Sequence, residues 1–161
     1  MFDLGAGTGR LSIASAFLKA HCVVSVDIDW SALIILKKNV ITLNLNDLIF
    51  PICADIKSFE VSKDFLISSE KITTIMNPPF GVQKRGADKI FLEKAFSFSD
   101  VIYSIHMTGE KVKKFIFNLV KKFNWEIDNV LPFNMTLERT FPFHTRKTKM
   151  IDVNIYRLVK M

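Results

Sequence analysis

The chain opens on Asp3-Leu4-Gly5-Ala6-Gly7-Thr8-Gly9, a strand end that runs directly into a glycine-rich turn. Glycine tolerates positive φ and leaves bare backbone for a ligand to approach. Arg10 to Ala20 then reads as a helix, with Leu11, Ala14, Phe17 and Leu18 on one face. A second strand follows, Cys22–Asp27, and it ends in an acid. A strand, a glycine turn, a helix and a second strand predict a parallel sheet with helical crossovers. Asp27 lies 22 residues after Gly5, close to the spacing of a carboxylate that binds ribose hydroxyls. Dinucleotide-binding folds share this layout. Here, however, the turn reads Gly-Ala-Gly-Thr-Gly, without the third glycine of the G-x-G-x-x-G fingerprint, and no Walker lysine follows.

Two further strands repeat the pattern. Leu48–Ala54 runs to Asp55, and Lys71–Met76 runs to Asn77. Asp3, Asp27, Asp55 and Asn77 therefore close four consecutive strand-like segments. In a doubly wound sheet the ligand crevice lies outside the carboxyl ends of the strands, so all four should share one rim.

The fourth strand ends in Asn77-Pro78-Pro79-Phe80. Two prolines fix φ and remove two backbone donors. The acceptors that remain, the Asn77 side-chain oxygen and the Pro78 carbonyl, suit an NH2 group, and the Phe80 ring offers a stacking face. Such a corner is built to grip a planar nitrogen nucleophile. The loop after it, Gln83-Lys84-Arg85-Gly86, is basic; Lys84 and Arg85 are candidates to hold phosphates beside a target.

Beyond Asn77 the alternation continues. Asp88–Ser99 reads as a helix with Ile90, Phe91, Ala95 and Phe98 inward, and Val101–His106 as a fifth strand, which puts His106 at the rim. Glu110–Phe123 is an amphipathic helix with Val112, Ile116, Leu119, Val120 and Phe123 in its stripe and Lys111, Lys114, Lys121 and Lys122 outward. Those lysines read as a solvated face in preference to a remote RNA contact. Trp125–Phe133 and Met150–Val159 are the last two strands. Their join, Asn134 to Lys149, interleaves Arg139, Arg146, Lys147 and Lys149 with Phe141, Phe143 and His144, a composition suited to single-stranded nucleic acid. The segment from Asp55 to Glu70 is expected to be irregular.

At 161 residues the chain is long enough for one domain with a real core. Its net charge of +6 favours a polyanionic partner. Cys22 and Cys53 both fall in strand-like runs and are expected to be buried free thiols, which suits a reducing compartment such as the cytoplasm. There is no clustered His/Cys set for a metal, and charges or Asn interrupt each apolar run short of membrane-spanning length.

Taken together, the segment from Asp3 to Ile13, Asp27-Ile28-Asp29, and Met76-Asn77-Pro78-Pro79-Phe80-Gly81 resemble the class I S-adenosylmethionine-dependent methyltransferases that modify amines. With Gly86-Ala87-Asp88-Lys89, Phe91-Leu92, Tyr103-Ser104-Ile105-His106, Phe143-His144, Lys147 and Asp152-Val153, the chain more closely resembles the family of methyltransferase-like protein five, which methylates an adenine of small-subunit ribosomal RNA. That resemblance implies a Rossmann-like sheet of seven strands in the order 3-2-1-4-5-7-6, strand seven antiparallel, with helices on both faces. It implies S-adenosylmethionine as cofactor, held by Asp3, Leu4, Gly5, Gly7, Asp27, Ile28, Asp55 and Asn77. Asn77, Pro78, Pro79 and Phe80 would carry catalysis. Lys84, Arg85, His106, Phe143, His144, Arg146 and Lys147 would meet RNA. A small zinc-binding activator would add a strand to the sheet edge. The family carries a segment before the first strand, so residues 1–161 are expected to be a single methyltransferase domain that lacks it. The same tetrad also serves release-factor glutamine, DNA adenine and RNA guanine methylation, and a non-catalytic RNA-binding scaffold is the alternative outside enzymes.

Overall fold

The computed structural model of the protein describes residues 1–68, 71–79, 86–138 and 148–161. Among these residues seven strands and five helices alternate up to the last two strands: β1 (Phe2–Leu4), α1 (Arg10–Phe17), β2 (Val23–Asp27), α2 (Trp30–Thr42), β3 (Ile49–Cys53), α3 (Lys63–Ser68), β4 (Thr73–Met76), α4 (Ala87–Phe96), β5 (Val101–Met107), α5 (Glu110–Lys122), β6 (Trp125–Glu138) and β7 (Thr148–Lys160). They form one sheet in the order β3-β2-β1-β4-β5-β7-β6. The first five strands are parallel, and β7 runs antiparallel between β5 and β6. Order and orientation are those that the resemblance implies.

Two cores lie on the two faces. One gathers Leu4, Met76, Leu92, Ile102, Ile116, Trp125 and Leu158 beneath α4 and α5. Aromatic packing consolidates it, with Phe2 against Phe98 and Phe96 against Trp125, each at 4.9 Å between ring centroids. The other joins Val23 and Ile49 of the sheet to Leu33, Leu36 and Val40 of α2 and to Ala16 of α1.

Helix α1 departs from the expected face. It buries Ser12, Ser15 and Ala16, whereas Phe17 and Leu18 are exposed and Ala14 faces solvent. The reason lies in the sheet. Asp3 and Ser25 pair in register beneath the helix, and Ser12 Oγ meets both, at 2.5 Å from Asp3 Oδ2 and 2.7 Å from Ser25 Oγ. A polar floor recruits small hydroxyls, and the larger apolar side chains turn outward.

Three other expectations need correction. A short helix, α3, occupies part of the stretch expected to be irregular. The Phe65 N–H is satisfied by Ser62 Oγ at 3.3 Å, and Leu66 N–H by the Ser62 carbonyl. Cys53 is exposed, because β3 is an edge strand, and Cys22 is half-buried; both are free thiols. Finally, β6 and β7 run past the expected limits, to Glu138 and from Thr148. Val153 faces Met107 at the end of β5, and five further pairs, Asn134–Asp152 through Glu138–Thr148, continue beyond it. The hairpin thus projects as a two-stranded ribbon past the rim where the parallel strands end. Among the described residues, no helix is long and apolar enough to cross a membrane.

Candidate active site

The site is built at the carboxyl ends of β1, β2, β3 and β4, where each chain leaves the sheet. After β1 the backbone swings through Gly5, Gly7 and Gly9, all at positive φ. At Gly5 an L side chain is excluded twice: φ is +75°, and a Cβ would stand 2.9 Å from Phe91 Cε1 on α4. That missing atom keeps the turn open.

The acids that follow are fixed by backbone donors. Asp27 Oδ2 accepts from Gly7 N–H at 2.7 Å, and its Oδ1 accepts from Asp29 N–H at 2.8 Å. Asp29 in turn caps α2, accepting from Ser31 N–H at 2.8 Å and Ala32 N–H at 3.3 Å. Asp55 Oδ1 holds the turn after β3 through Lys57 N–H at 2.9 Å. Each such carboxylate oxygen keeps a second lone pair for a ligand hydroxyl or amine.

Gly5, Asp27, Ile28, Asp55, Ile56, Lys57, Asn77, Pro79, Ala87, Ile90 and Phe91 enclose one cavity of about 560 Å³. That size falls within the range of small-molecule sites. Its composition matches a nucleoside: carboxylates for hydroxyls and an amine, Ile28, Ile90 and Phe91 as apolar walls, and a glycine turn for the remainder. S-adenosylmethionine therefore fits the residues present.

Of the residues expected at the cofactor, Gly5, Asp27, Ile28, Asp55 and Asn77 converge on this cavity. Gly7 contributes through its bond to Asp27. Asp3 and Leu4 are fully buried in the sheet below it. Among the described residues Asp3 Oδ1 has no hydrogen-bond partner, and burial pushes the carboxyl up to about 6 despite the Ser12 hydroxyl.

Of the tetrad, Asn77 and Pro79 are exposed and line the cavity, and Pro78 is buried. Among the described residues the Asn77 carboxamide makes no hydrogen bond. Phe80, Lys84, Arg85, Phe143, His144, Arg146 and Lys147 lie outside the described residues. His106 is not part of the cavity wall. It is 3% exposed, with Nε2 2.7 Å from Ser104 Oγ and its ring edge-on to Tyr156. Burial lowers its pKa to about 4, so the ring is neutral at pH 7. Ile90 and Phe91, expected to face inward on their helix, pack against the core and also form the cavity wall, and Ile56, Lys57 and Ala87 join them there without having been singled out by the sequence. Position next to Asp55 was the available signal for Ile56 and Lys57. Among the described residues no three His, Cys, Asp or Glu side chains converge as a metal site.

Comparison with known proteins agrees with this geometry. Residues 1–124 match the family model described as the TRM5/TYW2 methyltransferase domain. An uncharacterized protein of Methanocaldococcus jannaschii is 36% identical over the whole of this chain and 74% of its own. The rRNA N6-adenosine-methyltransferase METTL5 of Danio rerio is 34% identical, over 96% of this chain and 72% of its own. A crystal structure of a candidate RNA methyltransferase from Pyrococcus horikoshii superimposes with a TM-score of 0.86 at 35% identity, over 99% of this chain and 74% of that one. The fold, at 15% identity and a TM-score of 0.69, is also that of the magnesium protoporphyrin IX methyltransferase of Synechocystis, solved with its S-adenosylmethionine and matched over 99% of this chain and 69% of that one. A seven-stranded sheet with an antiparallel β7, a glycine turn feeding a carboxylate-lined cavity and these likenesses converge on one assignment: the chain belongs to the TRM5/TYW2-type family of class I S-adenosylmethionine-dependent methyltransferases, together with the METTL5 enzymes.

Proposed function

We propose that the protein methylates the exocyclic N6 amine of an adenine in RNA, in small-subunit ribosomal RNA within the cytoplasm. One observation carries this reading. The exposed Asn77 carboxamide, stiffened by Pro78 and Pro79 and without a hydrogen-bond partner among the described residues, stands on the wall of the cofactor cavity. The names of the METTL5 relatives, which are adenosine methyltransferases of rRNA, support the choice of base and nucleic acid.

S-adenosylmethionine, when bound, supplies an electrophilic methyl group on a sulfonium. Asp27 would hold it through ribose hydroxyls and Asp55 through the adenine amine, with Ile28 and Phe91 as the apolar walls of the cavity. The target amine is a poor nucleophile because its lone pair is delocalised into the base. Asn77 Oδ1 and the Pro78 carbonyl would accept its two hydrogens, which favours a more pyramidal nitrogen whose lone pair is localised and free to attack. Transfer is then dominated by positioning. The methylated nitrogen is strongly acidic and would lose its surplus proton to solvent water, so no strong base is needed. Phe80 stacks on the base, and an unpaired or splayed adenine is the cheaper substrate.

Asn77→Ala tests this. Methyl transfer to RNA should fall by about 10²–10³-fold, the usual effect of losing one positioned hydrogen-bonding group, with cofactor affinity kept. Full transfer by the variant would refute the reading.

We also propose that the β3 edge receives a strand from a small zinc-binding activator. Phe50 and Ile52 of β3 are 45% and 38% exposed, and Ile34 and Ile35 on neighbouring α2 are 41% and 47% exposed. An open apolar edge of this kind is a template for pairing. Ile52→Lys should abolish association with such an activator, measured by co-purification, and leave cofactor binding intact.

A further inference from the structure

Helix α5 is strongly basic. Its 13 residues hold five lysines and one glutamate, a formal +4, where the whole chain carries +6. Its buried stripe is Ile116, Leu119 and Val120, which puts Lys114 and Lys121 at the centre of the opposite face. Lys111 and Lys122 flank them on one side and Lys113 on the other, and all five are exposed.

The two ends of this helix differ. Lys121 and Lys122 occupy the last turn, where the helix dipole favours cations. They also lie over aromatic rings, Lys121 at 4.3 Å from the Phe117 centroid and Lys122 at 5.3 Å from that of Phe123. Local energetics account for both. Lys111, Lys113 and Lys114 crowd the opposite end, at the positive pole, where each cation is disfavoured by about 0.3–1 kcal/mol. Among the described residues none of the three has an ion-pair partner; the ion pairs present join Lys89 to Glu93, Lys94 to Glu60 and Arg157 to Asp128. Glu110, in the same turn, is one acid against three mutually repelling cations at the unfavourable pole.

Their position suggests what they gain. Only Thr108 and Gly109 separate the end of β5 at Met107 from the start of α5, and β5 is the neighbour of β4, which runs into Asn77. The crowded end is therefore at the catalytic rim, and the stripe descends from it to Lys121, about 10 Å further along the axis. We infer that this lysine stripe is a docking surface for the phosphate backbone of the RNA that flanks the target adenine. The inference rests on the reading of RNA as substrate. A membrane surface suits the stripe less well, because Phe117 is the one large apolar side chain on that face.

The test compares wild type with Lys111→Gln/Lys113→Gln/Lys114→Gln and with a charge-matched control, Lys19→Gln/Lys37→Gln/Lys38→Gln, on the other side of the sheet. Binding to a fluorescent RNA stem-loop with an unpaired adenine is followed by anisotropy across a potassium chloride series. Loss of three phosphate contacts should lower the slope of log Kd against log salt by about 2 to 3 and weaken binding at moderate salt by about tenfold. In turnover, KM for RNA should rise with kcat unchanged. The α5 variant should also melt slightly higher than wild type, because removing repulsion at the helix pole stabilises it. An unchanged slope, an equal loss in the control, or lysine-dependent binding to phosphatidylserine vesicles in preference to RNA would overturn the proposal. Salt-sensitive binding through α5 with no methyl found on adenine would leave the docking surface standing and sink only the substrate reading.

Discussion

The two halves of the rim handle their polar groups in opposite ways. On the cofactor side every acid that reaches the cavity is tied to backbone: Asp27 to Gly7 and Asp29, and Asp55 to Lys57. On the side proposed for the target, Asn77 is followed by two prolines, and its carboxamide has no hydrogen-bond partner among the described residues. The first arrangement presets the shape of a ligand that is the same in every turnover. The second, on the function proposed above, leaves the Asn77 acceptor to a group that arrives, reacts and leaves. Pre-satisfied groups lower the ordering cost of binding, whereas a free acceptor concentrates its effect in the reacting complex.

Substitutions can break that contrast. The largest effect is expected at Asn77, where transfer falls and cofactor titration by calorimetry stays within about twofold of wild type, a bound that follows if the amide touches the target alone. Asp27→Ala should instead weaken cofactor binding by about 10²-fold, the loss of charge-assisted hydrogen bonds of roughly 1.5–3 kcal/mol, and lower the melting temperature too, since two backbone donors are orphaned. Gly5→Ala comes next. The side chain meets Phe91 and the residue is strained at φ +75°, so stability should fall by about 1 kcal/mol and cofactor affinity with it. Restoration of affinity in Gly5→Ala/Phe91→Leu would locate the damage in that contact.

The smallest effect concerns pH. Asp3 is raised to about 6 in the folded chain, so its contribution is full below about 4, the unfolded value, and is lost as pH rises through 6. His106 is lowered to about 4, so its contribution is present above about 6.5 and is lost as pH falls through 4. The two oppose each other between about pH 4 and 6 and flatten the stability profile there. Asp3→Asn should unmask the histidine, giving chemical-denaturation stability that climbs with pH across that window; an unaltered profile would show that Asp3 titrates normally.

Much of this was legible from residues. The strand order of acids, Asp27 and Asp55 above all, located the cavity, because strand ends in a doubly wound sheet face one crevice whatever their packing. Buried surfaces were harder to read. The stripe of α1 looked apolar, yet Ser12 wins the inward position because Asp3 and Ser25 lie beneath it, a long-range fact that no local period encodes. His106 looked like a rim residue by its place in the chain, and the alternation of β5 turns it inward against Tyr156. Phe91 shows a third limit: a helical stripe marks a residue as apolar and inward without saying whether the inside is core or cavity.

The ribbon of β6 and β7 past Met107 has a consequence for exchange experiments. Its last five residue pairs have no third strand beside them at β5, and a two-stranded ribbon is marginal in water. Its amides should swap deuterium far sooner than those of Phe2 to Leu4, which are hydrogen-bonded between two neighbours. Slowing of that exchange on addition of a bound polymer would turn the ribbon into a built-in gauge of occupancy.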